Sequence, residues 1–215
     1  MFARSLALFA VLSTSAIAVE PPVRTIAVYL KPGTADAAAL AYMKRELANL
    51  MDSAGYATEW LEAPAIPDVR GASLLVLELE GACLAGGGAS DSRVDLGVES
   101  LASTPVSGGE ILPFSTLHCD ALNRVIGKSI AAAAAASRPW LYGRAMARLA
   151  AHELYHVLSD TRGHSREGIA KARFSAADLM ADRFEFESSA LAKMRLAGAT
   201  EAAAGPVATR ESTGR

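Results

Sequence analysis

The chain has 215 residues, 51 % of them hydrophobic and 20 % charged. That suits one domain with a buried core. The formal net charge of -2, from 21 basic and 23 acidic residues, supplies no positive field for a nucleic acid or other polyanion partner.

In chain order, residues 1–18 read as an export signal. Arg4 gives the positive start, residues 6–12 form a short apolar run, and Ala16-Ile17-Ala18 has the small-x-small form of a cleavage site. The run is too short to span a bilayer, and no Cys follows Ala18 to carry a lipid. The expected product is one domain over residues 19–197, secreted or periplasmic, without membrane contact after cleavage. A small, polar, disordered tail is expected over 198–215. The two cysteines, Cys83 and Cys119, suggest one disulfide in an exported protein. Closing that loop contributes roughly 2–4 kcal/mol.

The first strand is expected over residues 24–30, β-branched and aromatic, ended by Lys31-Pro32-Gly33. A helix follows from Thr34 or Asp36 to about Ser53. Leu40, Met43, Leu47 and Met51 keep helical spacing along it, and Gly55 stops it. A short strand is expected over 56–61. The strongest strand, over 72–79, is apolar enough to be central. Residues 80–92 are rich in Gly, Ala and Ser and read as a loop. Two further strands are expected over 94–103 and 109–115, joined by a turn at 105–109.

Asp120 can cap a helix running from about 121 through the alanine run at 131–136. Ser137 as cap and Pro139 in the first turn open another helix, to about Leu158. Residues 160–172 read as a loop. Ser175 and Asp178 have the spacing of a capping box and open a last helix to about Leu196. Strand, helix, strands, helix, helix, loop, helix is an α+β order.

The chemistry is concentrated in His152-Glu153-Leu154-Tyr155-His156, an H-E-x-x-H on a predicted helix. Residues four apart lie one turn apart on the same helix face, so the two imidazoles can converge on one ion. Glu153 then stands beside the metal without binding it, where it can take a proton from water as general base. The chain has four histidines, and three of them fall between positions 152 and 164. His164 is the expected third ligand: the helix should end near Ser159, and Gly163 can take a positive φ and turn the chain back. The rivals are acids downstream, Asp178, Asp182 and Glu185. Tyr155 reads as packing, and Lys171 as a loop lysine able to meet a carboxylate.

This stretch resembles the zincin superfamily of metallopeptidases, and the downstream histidine makes it metzincin-like. It departs from H-E-x-x-H-x-x-G-x-x-H after His156. Ser159 stands at the glycine position, and His164 comes two residues late. Met180 is the available methionine, but it sits in a predicted helix, so no methionine turn is assigned. The run from Ala151 to Met180 also resembles a group of secreted bacterial proteins with H-E-L-Y-H, a later T-x-x-H and G-[IV]-A-K.

The resemblance implies a mixed twisted sheet packed on the helix that carries the motif, plus a C-terminal helix. It also implies one zinc ion and a peptide or protein substrate, and it favours His164 over the acids. By the same analogy, the strand near 111–115 would offer a sheet edge to an extended substrate, with His118 nearby. The competing reading is a non-catalytic exported zinc-binding or interaction protein.

Overall fold

The computed structural model describes residues 24–31, 33–61, 73–86 and 100–204, with side chains described as far as residue 197. The expected export signal, the loop around 87–92, residues 94–99 of an expected strand and the end of the tail lie outside the described residues.

The described elements are, in order, β1 (Arg24–Leu30), β2 (Thr34–Ala35), α1 (Ala37–Ser53), β3 (Tyr56–Leu61), β4 (Ser73–Glu80), β5 (Ala82–Cys83), β6 (Ala102–Ser103), β7 (Val106–Ser107), β8 (Glu110–Ile111) and β9 (Phe114–His118). They are followed by α2 (Cys119–Ala132), a 3-10 turn (Ala135–Ser137), α3 (Arg138–Leu158), α4 (Ala176–Met180) and α5 (Ser188–Ala204).

The main sheet has five strands in the order β3-β1-β4-β9-β6. The pairings β1–β3, β1–β4 and β4–β9 are parallel. The edge strand β6 alone runs antiparallel, with Ala102 opposite Leu117 and Ser103 opposite Thr116. The class is therefore mixed α and β, as the element order implies. Alternation decides which side chains enter the core. Ile26 and Val28 of β1, Leu75, Leu77 and Leu79 of β4, and Leu117 of β9 join one apolar cluster with the buried faces of α1 and α3.

Close approach of α1 and α3 requires Gly143. A Cβ there would lie 2.4 Å from the Ala39 carbonyl oxygen and 2.6 Å from the Tyr42 Cβ. Asp36 caps α1 as expected, its Oδ1 accepting from the Ala38 and Ala39 N–H groups at 2.8 and 3.2 Å. Gly55 ends that segment with φ of 87°.

Several expected boundaries move, each for a local reason. The strand expected at 109–115 is divided into β8 and β9 around Pro113, which has no N–H for a ladder. Of the strand expected at 94–103, the described part forms pairs only at Ala102–Ser103. The turn expected at 105–109 is a β7–β8 hairpin that reverses at Gly108 and Gly109, with φ of 60° and 95°.

Asp120 does not cap α2; the helix starts at Cys119, and Asp120 lies in its first turn, where a carboxylate still favours the helix dipole. The alanine run does not carry α2 to residue 136. Arg138 donates to the Ala131 and Ala133 carbonyls at 3.0 and 3.2 Å and satisfies the helix end. Ser137 has helical backbone angles and makes no cap bond.

The Ser175–Asp178 capping box forms, but its helix stops at Met180. The last helix expected as one piece is therefore two, α4 and α5. Carbonyls at 178, 180 and 181 accept from arginine side chains of α3, which satisfy this helix end.

Cys83 and Cys119 are joined in a disulfide with Cα atoms 5.0 Å apart. It ties β5 to the start of α2, reinforced by the Asn123 side chain donating to the Ala82 carbonyl at 3.0 Å. Among the described residues, no helix is long and apolar enough to cross a membrane.

Candidate metal centre

The motif lies in the last two turns of α3, whose end is a defined turn. The Asp160 N–H reaches the Val157 carbonyl at 3.4 Å and the Thr161 N–H reaches the His156 carbonyl at 3.2 Å, with Asp160 at φ of 40°. This is the bond pattern of a Schellman stop with an aspartate in the left-handed position. Gly163 does not have the positive φ expected of it; among the described residues around it, the reversal is made at Asp160. The consequence for the site is immediate. Thr161 is carried beneath His156, and its carbonyl accepts from His156 Nδ1 at 2.6 Å.

His152 is held the same way, its Nδ1 donating to the Ile169 carbonyl at 2.7 Å. A carbonyl only accepts, so both Nδ1 atoms carry the proton and both Nε2 atoms of the neutral rings present lone pairs. Those two Nε2 atoms face each other at 3.0 Å. Two lone pairs so placed repel unless one ring is protonated or a cation lies against both.

Protonation is disfavoured. Burial pushes the His152 pKa down to about 4, against the Ile169 carbonyl and with help from the other two rings. Burial also lowers His156, against the Thr161 carbonyl and with help from His164.

His164 joins them. Its ring stacks on His152 with centroids 5.3 Å apart and planes 18° from parallel, and meets His156 edge-on at 4.9 Å. Ligand nitrogens of all three lie within 4.8 Å of one another. His164 is the exposed member, and burial lowers its pKa as well. The donor set fits a divalent ion: three neutral imidazoles, two with a backbone carbonyl behind them in the arrangement that orients metal-binding histidines. His152, His156 and His164 can therefore hold a metal ion, and imidazole suits several.

The rival acids are elsewhere. Asp178 is spent on the Ser175 box and on Lys171, whose Nζ is 2.7 Å from its Oδ1. Asp182 points to Arg144 at 3.1 Å. Glu185 is exposed, and its carbonyl serves the Ile169 N–H at 3.0 Å. Lys171 thus meets a carboxylate of its own chain. Tyr155 is fully buried, as a packing residue should be.

Glu153 is 4 % exposed and opens to the same cleft as the three histidines. Its Oε2 accepts from the Thr104 hydroxyl at 2.6 Å. Because Thr104 gives its proton to the carboxylate, Ser115 must donate to Thr104 across 2.7 Å. Burial pushes the Glu153 carboxyl above its ordinary value, outweighing Thr104 and the His118 ring, which act in the other direction.

The cleft has a volume of about 410 Å³, and Val106 and Ile111 of the hairpin and Arg162 after α3 line it. The edge strand at the cleft is β6, and its residues Ala102 and Ser103 line it. The strand expected for that place near 111–115 is β9 in part, which lies between β4 and β6 and is therefore not the edge of the sheet. His118 is not among the cleft residues; its Nδ1 lies 2.6 Å from Glu80 and its Nε2 3.1 Å from Ser103.

Thr104 and Ser115 have no mark in the sequence that would single them out. Their role depends on a strand pairing. The carbonyls of Thr161 and Ile169 are equally silent, because backbone acceptors belong to every residue.

No protein-family model, curated protein or solved structure matches the chain.

Proposed function

We propose that the chain is an exported zinc-dependent peptidase that cleaves a peptide bond by attack of water, with Glu153 as general base. The observation that carries the reading is the pair of Nε2 atoms 3.0 Å apart, on rings whose Nδ1 atoms are held by carbonyls, with His164 and an engaged glutamate opening on one cleft. Zinc held by the three imidazoles would supply a Lewis acid that polarises a carbonyl and acidifies water.

The chain's own part follows from the geometry. Thr104 fixes one oxygen of Glu153, leaving Oε1 to take a proton from attacking water. A carboxyl held in this way can pass that proton on to the leaving amine. Val106 and Ile111 offer the cleft an apolar surface for a side chain, and Arg162 adds a cation to its lining. The β6 edge has one side unpaired within the described sheet, so an extended peptide can bond to its backbone. A five-stranded mixed sheet over a helix that bears the motif supports a zincin-like fold.

A fluorogenic peptide library, assayed with and without a chelator, tests the reading. Cleavage should require zinc and should fall about 10²–10⁴-fold in Glu153→Gln, while bound zinc stays the same. Cleavage indifferent to chelator, or full activity in Glu153→Gln, ends it. The second reading, an exported zinc-binding protein without catalysis, draws support from the hold Thr104 keeps on Glu153. Stoichiometric zinc with no cleavage of any library member would select it.

A further inference from the structure

Helix α3 places four long or aromatic nitrogen donors at intervals of four residues: Arg144, Arg148, His152 and His156. That spacing sets them along one stripe, one per turn. Each meets backbone carbonyls of the segment after the helix. His156 donates to Thr161 and His152 to Ile169. Arg148 donates to Asp178 at 2.8 Å and Ala181 at 2.8 Å. Arg144 donates to Met180 at 3.2 Å and Ala181 at 2.7 Å. One face of one helix thereby satisfies an irregular stretch that has few other partners for its carbonyls.

We propose that Arg144 and Arg148 are positioning residues for the histidine cluster, acting through this segment. The inference rests on the metal reading and is independent of peptidase activity.

Two physical routes connect the arginines to His152. The first is backbone. Arg148 and Arg144 fix the chain at 178–182, and three residues on, the Glu185 carbonyl accepts from the Ile169 N–H at 3.0 Å. The other side of the Ile169 residue, its carbonyl, holds His152 Nδ1. The contact is close: Gly168 has φ of 67°, and a Cβ there would stand 2.4 Å from the Glu185 oxygen.

The second route is aromatic. The Arg148 guanidinium lies 5.5 Å from the Phe184 centroid. Phe184 meets Phe174 edge-on at 5.9 Å, and Phe174 meets His152 edge-on at 5.2 Å. A shift at Arg148 therefore reaches the ring from behind and from its flank.

The burial of these cations needs such a reason. Arg148 is 1 % exposed, and both Nε atoms lack a hydrogen-bond partner. Glu46 on α1 is the shared counter-ion, at 3.6 Å from Arg148 and 3.9 Å from Arg144. A buried charge of this kind often adds no stability over an apolar residue, and specifying an arrangement is one reason to keep it. Guanidinium suits the task because its donors diverge and one group serves several carbonyls at once.

The test uses the full chain with Co2+ as probe, read by its d–d absorption and by competition with a chelator. Arg148→Met should weaken Co2+ binding about 10-fold or more and shift the absorption band. Arg148→Lys, which keeps the charge but reaches fewer carbonyls, should recover part of both. Val28→Ala, in the core three strands from the cleft edge, should lower thermal stability and leave affinity and band unchanged.

Wild-type affinity and band in Arg148→Met overturn the proposal. Should Arg148→Met fail to fold, Arg144→Met carries the same test, since Arg144 donates to the same Ala181 carbonyl. Unchanged Co2+ behaviour there is the overturning result. A wild-type chain that binds no Co2+ sinks the metal reading itself, which is distinct from binding that ignores Arg148.

Discussion

The Nε2 atoms of His152 and His156 face each other at 3.0 Å while each Nδ1 is committed to a backbone carbonyl. A motif becomes a site through this relationship, because it fixes the tautomer of both rings and aims two lone pairs at one point.

Removing either ring should therefore remove the metal. His152→Ala and His156→Ala should each lose zinc in a chelator-competition titration, and His164→Ala should weaken it by at least tenfold, about 1.4 kcal/mol. Asp182→Ala and Glu185→Ala should bind as the wild type does. Loss of zinc in either acid variant, with His164→Ala unaffected, would reassign the third ligand.

Thr104→Val should separate binding from turnover. The Glu153 carboxylate and the Ser115 hydroxyl both lose their partner, so the base is no longer held in one orientation. The expected result is a lower kcat with unchanged zinc affinity and unchanged KM. A variant that loses zinc in step with activity would show that Thr104 acts on the fold and not on Glu153.

Gly143→Ala should cost stability in proportion to how far α1 must retreat from α3. The new methyl meets backbone atoms of Ala39 and Met43, which cannot swing aside as a side chain tip can. An overpacking cost of about 1–3 kcal/mol is expected, measured by urea unfolding. A change of only about 0.3 kcal/mol or less would mean the helices part easily.

Asp178 gives stability a pH dependence at the acid end. Burial works against its carboxylate, but Lys171 and the Ser175 hydroxyl and N–H outweigh it and hold the pKa at about 2, below the ordinary 3.8. A depressed carboxyl stabilises the fold above its unfolded value, and that contribution is lost as pH falls from about 3.8 through about 2. Asp178→Asn should cost about 1 kcal/mol near neutrality, once solvent screening is counted. The gap between the two proteins should close below pH 3. A gap that persists at low pH would place the effect in packing.

Reduction of Cys83–Cys119 should lower stability by about 2–4 kcal/mol. The cross-link spans 36 residues, and it joins β5 to the first residue of α2. Denaturant midpoints with and without reductant give the difference. Equal midpoints would mean that Asn123 and the core hold this junction unaided.

Much of the site could be read from the residues alone, and the reason is local geometry. His152, Glu153 and His156 are related by one helical turn, so their spacing already implies a shared face. The strands at 24–30 and 56–61, the Asp36 cap, Gly55 and the Ser175–Asp178 box are likewise short-range matters of propensity and capping. His164 was reachable because a third imidazole so close in sequence has little chain in which to go astray.

What lay beyond the sequence is whatever depends on partners far along the chain. The helix expected from Ser175 to about Leu196 ends at Met180, where arginines some thirty residues earlier satisfy its carbonyls. Thr104 meets Ser115 and Glu153 only once β6, β9 and α3 have assembled, and the Ile169 carbonyl reaches His152 from a loop whose N–H is bonded to Glu185. The shared face of His152, Glu153 and His156 was thus determined by a helix's own period. Their orientation, tautomer and support were decided by tertiary contacts, because a backbone carbonyl carries no residue type for a sequence to display.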